Sequence, residues 1–434
     1  MIRNKNLKNA SWIIGCRLIQ SLLGVLISML TARYLGPSHF GVINYAAAVV
    51  AFFAPITRLG LSHVLVQEFV YSPESEGKIL GTSLLMSLTS SVICIVGVIS
   101  FAHITNKGDV ETILVCTLYS MLLIAYAMEL FQYWFQAKLI SKYTSIVSVI
   151  VYFLISIYKV ILLITGRSVY WFAVSNAIDH LLIGFVLLVI YKKKSRQKLK
   201  FSIETAKRLF SKSKFFIVSS MMITIFAQTD KIMLNLMMGD AETGIYSAAS
   251  SCASMTAFVF AAIIDSMRPT ILECKKNGSV SYELNMCRTY SIIIYMALVQ
   301  SVMMTLLSKP IVLILYGQEY LSSISVLSII VWQTTFSYIG SVRNIWILAE
   351  EKQRYLWIIN LSGALTNVIL NLVLIPIWGA EGAAVASVIT QVFTNFVIGF
   401  ILKPIRYNNK LMLKSFRPVV LIEMVKTIIA KKSI

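Results

Sequence analysis

The sequence predicts an all-α integral membrane protein of about twelve transmembrane helices in two six-helix lobes, and three observations carry that prediction. Hydrophobic residues make up 57% of the 434-residue chain and charged residues only 13%, far from the balance of a soluble domain. Twelve apolar runs are long enough to cross a hydrocarbon core of roughly 30 Å as helices. The basic residues behind the formal net charge of +20 gather between alternate runs.

The runs fall at 12–32, 40–60, 79–102, 112–135, 144–165, 170–191, 215–238, 244–267, 289–316, 323–348, 356–377 and 382–403. In lipid every backbone group must be satisfied within the segment, so these are helices; a β-barrel would need shorter, alternating segments. The first run follows Arg3, Lys5 and Lys8. It is too long for a signal-peptide core and lacks a small-residue cleavage site, so it is expected to stay as a helix.

With a cytoplasmic N-terminus, one side receives Arg58, Lys78, Lys138, Lys142, the dense basic stretch 192–214, the cations between 268 and 288, Lys352, Arg354 and the basic tail beyond 403. The other side keeps Arg33, Lys107, Arg167 and Lys309, together with Asp240, Glu242, Glu319 and Glu381. That asymmetry places both termini in the cytoplasm. It also explains most of the +20 without nucleic acid, which a soluble protein of this charge would have suggested. The external loops are too short to hold a domain. The expected organisation is an N-terminal lobe over 1–190, a basic cytoplasmic linker over 191–214, a C-terminal lobe over 215–404 and a basic tail over 405–434. Contact with anionic headgroups is one reading of the linker, but setting topology alone explains its charge and is the preferred one. Residues 411–434 are too charged to span and are expected to lie in the interface.

The halves show a weak self-similarity. Gly36 and Gly41 at the opening of span 2 match Gly239 and Gly244 at the opening of span 8. Trp134, Ala137, Lys142 and Tyr143 at the end of span 4 match Trp346, Ala349, Arg354 and Tyr355 at the end of span 10. Six spans per half return the chain to the same side, so the halves are expected to be parallel repeats around a central cavity.

Ionisable residues inside spans are costly and usually face a bundle interior or a wet cavity. Here they are Arg17, Glu129, Lys159, Asp179, His180, Asp230, Lys231, Asp265 and Arg343. Several sit on polar stripes at helical spacing: Arg17, Gln20, Ser21, Gly24, Ser28 and Thr31 in span 1, and Ser145, Ser148, Tyr152, Ser156 and Lys159 in span 5. Span 7 aligns Ser220, Thr224, Gln228, Lys231 and Asn235; span 11 aligns Asn360, Gly363, Asn367 and Asn371. The asparagines fit ordinary helix-to-helix hydrogen bonding. The cations Arg17, Lys159, Lys231 and Arg343 are better explained by an anionic group crossing the membrane, since Arg forks around phosphate and Lys adds a mobile point charge. Glu129, Asp179, Asp230 and Asp265 are then candidates for ion coupling or charge pairing. Buried ion pairs remain the structural alternative.

Covalent chemistry has no signature. His39, His63, His103 and His180 are scattered, the six cysteines form no Cys-x-x-Cys pair, and no phosphate-binding loop occurs. No metal, cofactor or enzymatic activity is expected. Transport would draw on an ion gradient, the membrane potential or the substrate gradient.

The stretch Gln228-Thr229-Asp230-Lys231-Ile232-Met233-Leu234, continued by Met238-Gly239-Asp240-Ala241-Glu242-Thr243-Gly244-Ile245-Tyr246, resembles spans 7 and 8 of Wzx-type O-antigen flippases. So do Ala32-Arg33-Tyr34-Leu35-Gly36 with Phe40-Gly41 and Asn44-Tyr45-Ala46, and Asn371-Leu372-Val373-Leu374-Ile375-Pro376 with Gly382-Ala383-Ala384. The resemblance covers nearly the whole chain and points to the polysaccharide-exporter branch of the multidrug/oligosaccharidyl-lipid/polysaccharide (MOP) superfamily, with its MATE-like architecture. It implies a V-shaped, two-lobed bundle in the bacterial inner membrane. Its cargo would be an undecaprenyl-pyrophosphate-linked O-antigen unit, moved by alternating access and coupled to protons or other ions. Membrane lipids and other O-antigen assembly proteins are the implied partners. Arg17 falls where related flippases place a cavity arginine, and Asp230 at their recurrent span 7 acid. A MATE-like drug or cation antiporter is the alternative within the superfamily. A membrane glycosyltransferase or O-antigen polymerase is a third reading, disfavoured by the short loops.

Overall fold

The structure is a computed structural model that describes residues 2–195, 197–278 and 281–417, with side chains at 15, 16 and from 19 onward. Among the described residues every regular element is helical: α1 (Ile2–Arg58), α2 (Leu65–Tyr71), α3 (Glu76–Thr105), α4 (Val110–Ser120), α5 (Leu122–Met128), α6 (Phe131–Ala137), α7 (Lys142–Ile164), α8 (Val169–Lys194), α9 (Ile203–Met238), α10 (Asp240–Ser254), α11 (Ala257–Lys276), α12 (Ser281–Leu306), α13 (Ser308–Leu315), α14 (Ser323–Ala349), α15 (Leu356–Val392), α16 (Ile398–Ile401) and α17 (Arg406–Ser415).

Among the described residues nine helical stretches are long and apolar enough to span, and α10 with α11, bent by 41°, makes ten. Two of these stretches each hold two crossings. Ile19–Arg58 has 40 residues, about 60 Å of helix and twice a bilayer core. It breaks at Gly36, whose φ of 71° and ψ of 173° are not helical. The chain then doubles back. Gln20 shares a cavity with Gln132, while Arg58 at the far end binds Glu129, three residues before Gln132. α15 breaks at Gly379, with φ 55° and ψ −130°, and a Cβ on Gly382 would sit 2.1 Å from the Leu374 carbonyl oxygen. That approach is impossible along one straight helix. Counting each broken stretch as two brings ten to the twelve that hydropathy predicts.

Two compact units comprise Met1–Gly244 and Ile245–Ile434. In the first, α1 packs against α3, α4, α5, α7, α8 and α9. One core gathers Tyr45, Val49, Val98, Val115, Leu123 and Phe172; another gathers Leu65, Phe69, Leu80, Phe131, Trp134 and Leu209. In the second unit, α12 and α14 enclose Tyr290, Ile293, Val342 and Trp346, with Ile405 and Met412 from the C-terminal segment. Burial follows packing rather than hydrophobicity. On α3, Val92, Ile93 and Val96 are exposed to the surroundings, whereas Ser83, Ser87, Ser90 and Ser91 are buried. Ser87 Oγ donates to the Thr57 carbonyl at 3.0 Å and Ser91 Oγ to that of Leu123 at 2.9 Å, the small-polar interlocking of helices in lipid.

The basic stretch after span 6 is more ordered than a topology label requires. Ser202 caps α9 by accepting from the Thr205 N–H at 3.4 Å, and the first three turns of α9 are amphipathic, with Ala206 and Leu209 buried. Arg208 and Lys212 reach the buried Glu68 of α2 at 3.0 and 2.6 Å. The connection before α9 lies across α3: Lys200 N–H donates to the Gly77 carbonyl, and Gln197 Oε1 accepts from Gly77 N–H at 2.9 Å. A run this charged is invisible to a hydropathy count, yet it folds because one face is apolar.

At the other end, α17 docks against α12. Tyr290 Oη donates to Asn408 Oδ1 at 2.8 Å and Ser291 Oγ to the Ser415 carbonyl at 2.9 Å. The interfacial segment expected over 411–434 therefore begins as a packed helix; residues 418–434 lie outside the described residues.

The internal repeat is visible in backbone detail. Gly36 and Gly239 share nearly the same conformation, with φ of 71° and 88° and ψ of 173° and −173°. Leu139 and Glu351, equivalent under the Trp134–Trp346 match, are both left-handed, with φ of 56° and 54°. The turns around them are hydrogen-bonded alike: Ile140 N–H donates to the Phe135 carbonyl at 3.0 Å, and Lys352 N–H to that of Ile347 at 2.9 Å.

Candidate functional site

The polar stripes predicted on spans 1 and 5 face each other inside the first unit. α1 supplies Gly24, Ser28 and Thr31, and α7 supplies Tyr152, Ser156 and Lys159, to one cavity of about 220 Å³. α8 completes that cavity with Asn176 and Asp179. A second cavity of about 190 Å³ continues the seam, where Gln20 of α1 meets Ser145 and Ser148 of α7 together with Gln132 and Gln136 of α6. Each stripe shields the other from lipid. Neither helix alone could hold so many hydroxyls and amides at membrane depth without cost.

Lys159 is held rather than loose. Its Nζ donates to Asn176 Oδ1 at 2.8 Å, and Asn176 Nδ2 is anchored on the Phe172 carbonyl at 3.1 Å. Asp179 is 7% exposed and shares the cavity wall with Lys159. Its Oδ1 accepts from the His180 N–H at 2.6 Å.

His180 links this cavity to a second charged group. Its Nδ1 lies 2.5 Å from Glu129 Oε1, and its Nε2 3.7 Å from Asp179 Oδ1. The other oxygen of Glu129 accepts from Arg58 Nη2 at 2.9 Å. The Arg58 guanidinium stacks 4.0 Å over the Tyr126 ring, which in turn meets the His180 ring edge-on at 5.8 Å. Five charged or titratable side chains from α1, the end of α5, α7 and α8 thus form one connected system.

The remaining predicted residues are placed elsewhere. The side chain of Arg17 lies outside those the structure describes. Asp230, buried, and Lys231, half-buried, lie on α9. In the second unit Asp265 is largely exposed and pairs with Arg268 one turn on at 3.0 Å. Arg343 is 4% exposed; its Nη1 donates to the Thr394 carbonyl at 2.6 Å. Thr394 lies in a π-helical stretch, Phe393–Val397, where the wider turn leaves carbonyls free to accept. That geometry makes Arg343 a brace for the bulge. Asn367 and Asn371 are buried, and Asn371 Nδ2 donates to Asn367 Oδ1 at 3.2 Å.

Two residues that build this site escape sequence inspection or are not singled out by it. Arg58 reads as a loop cation after span 2, and nothing local distinguishes it. Asn176 had a usable signal, since Asn176, Asp179 and His180 form an i, i+3, i+4 stripe on span 6. Among the described residues no three His, Cys, Asp or Glu side chains converge as metal ligands.

Residues 6–275 match the family described as polysaccharide biosynthesis protein. Over 269 residues the chain is 28% identical to an uncharacterized membrane protein of Methanocaldococcus jannaschii. That match covers 57% of this chain and 51% of the relative, so the chain spans about half the length of the curated relative it matches. Among solved structures it is similar to the lipid II flippase MurJ in an inward closed conformation, with a TM-score of 0.71, 16% identity, and 94% and 92% of the two chains covered. It is also similar to an inward-facing multidrug resistance MATE family transporter of the MOP superfamily, with a TM-score of 0.65, 12% identity, and 92% and 96% covered. A MOP superfamily transporter from Pyrococcus furiosus gives 0.54, 12%, and 94% and 96%. The fold is therefore the all-helical one of MurJ and the MATE transporters.

Proposed function

We propose that this multi-pass membrane protein, which belongs to the polysaccharide biosynthesis protein family, is a flippase and not an enzyme. Its cargo is a lipid-linked oligosaccharide, specifically an undecaprenyl-pyrophosphate-linked O-antigen unit. It carries that unit across the bacterial inner membrane by alternating access of two six-helix lobes, with both termini cytoplasmic and an ion gradient as driving force. The family match over residues 6–275 carries this reading. The polar seam supports it, because a cation at Lys159 inside a membrane helix suits a cargo with an anionic group. The MurJ likeness, to a protein named as a lipid II flippase, favours a lipid cargo. Arg17, Lys231 and Arg343 are proposed as further contacts or supports for the anion, and Asp230 and Asp265 as charge partners.

The MATE likeness and the two carboxylates beside the cavity favour a second reading, a drug or cation antiporter. Deleting the gene in the bacterium that carries it separates the two. A flippase predicts loss of surface O-antigen and build-up of lipid-linked units in the inner leaflet, restored by the wild-type gene but not by Arg17→Ala or Lys159→Ala at equal membrane levels. Intact O-antigen with new drug sensitivity would establish the antiporter instead.

A further inference from the structure

We propose that His180, set between Glu129 and Asp179, is a proton-binding site of the first unit, and that the ion driving transport is therefore H⁺. The coupling half of this inference rests on the flippase reading above; the proton site itself does not.

The geometry of the imidazole carries the argument. Both ring nitrogens face carboxylate oxygens, Nδ1 toward Glu129 at 2.5 Å and Nε2 toward Asp179 at 3.7 Å. A neutral imidazole is a donor at one nitrogen and an acceptor at the other, so it can serve only one ionised carboxylate. The imidazolium donates to Glu129 and turns its second N–H toward Asp179 at 3.7 Å, a charge contact beyond hydrogen-bond length. Losing the proton leaves one carboxylate facing a lone pair and favours its turning away. The proton can also pass along the short contact from Nδ1 to Glu129 Oε1, with no other bond changing. Occupancy by a proton is thereby tied to side-chain position.

The charges around the ring make this proton the variable one. Arg58 from α1 and Lys159 from α7 balance Glu129 from α5 and Asp179 from α8, so the system is neutral with neutral His180 and carries one positive charge with the imidazolium. Tyr126 packs on the ring, and Tyr119 and Tyr152 line the cavity beyond Asp179. A brace would need only Arg58 and Glu129. Adding a histidine and a second carboxylate at membrane depth is the arrangement of a proton relay. The His180 side chain is 34% exposed, and Asp179 beside it lines the 220 Å³ cavity, which is roomy and polar enough for several waters.

Full-length protein labelled with ¹⁵N-histidine in lipid nanodiscs tests the site directly, because the chain has four histidines and His180→Gln identifies one of them. The His180 imidazole is expected to change protonation state over the pH range in which the protein stays folded. Its midpoint is expected to move by about one unit or more in Glu129→Gln or Asp179→Asn. An imidazole that stays in one protonation state over that range, or a midpoint indifferent to both substitutions, overturns the proposal. For coupling, His180→Gln and His180→Arg are each expected to abolish glycan export at wild-type membrane levels. Full export with His180→Arg would mean that a fixed charge suffices, and the coupling claim would be wrong. If export never depended on this protein, the flippase reading fails while the titration still decides the proton site.

Discussion

Arg343 and Lys159 look alike in the sequence, each a lone cation in an apolar helix, yet their surroundings assign them different work. Arg343 is enclosed and spends a hydrogen bond of 2.6 Å on the Thr394 carbonyl, whereas Lys159 reaches an open cavity and shares Asn176 with it. A charged donor to a buried carbonyl contributes about 2 kcal/mol, and its loss strands the acceptor. Arg343→Ala is therefore expected to lower the unfolding temperature in detergent by several degrees, and Lys159→Ala to change it far less. Thermal scans of the two purified variants decide this; equal shifts would show that Arg343 is no more a brace than Lys159. The sequence could flag both residues as costly, because cost depends on lipid depth. It could not say which was enclosed.

At the scale of elements, the matched glycines show what a repeat is for. A Cβ on Gly41 would lie 1.8 Å from the Asp240 carbonyl oxygen, and one on Gly244 would lie 1.9 Å from that of Pro37. Pro37 and Asp240 are themselves equivalent under the offset that relates Gly41 to Gly244. Each helix start thus seats its glycine against the carbonyl of the segment that matches it in sequence, and the contact is reciprocal. No side chain fits, because the obstacle is backbone. Gly41→Ala and Gly244→Ala are each expected to destabilise the first unit by about 1–3 kcal/mol, and by similar amounts. Unfolding in detergent would measure it, and a strongly unequal pair would contradict the reciprocity. The glycines were legible as a pattern in the sequence; that they touch each other was not, since self-similarity carries no distance.

Across the whole molecule, the charge asymmetry becomes a prediction about sides. Single cysteines placed at Gly108 and Gly317, in a background lacking the six native ones, should react with an impermeant thiol reagent from outside the cell. A cysteine at Gly278 should react only after the membrane is opened. Labelling in the reverse pattern would invert the topology inferred from the basic loops. The span count was legible because apolar length is a local property. α1 and α15 form continuous stretches only in helical terms, and the breaks at Gly36 and Gly379 restore the twelve crossings that hydropathy predicts.

The sequence by itself determined which segments enter the membrane, where the repeat lies, and which faces of spans 1, 5, 7 and 11 are polar. Each of these follows from composition and period along a single stretch of chain. Only the tertiary structure decided that the stripes of α1 and α7 close on shared cavities, and that Arg58, Glu129 and His180 form one charged system. Those partners are separated by 71 and 51 residues, and a charge at membrane depth has no function until packing sets what stands opposite it.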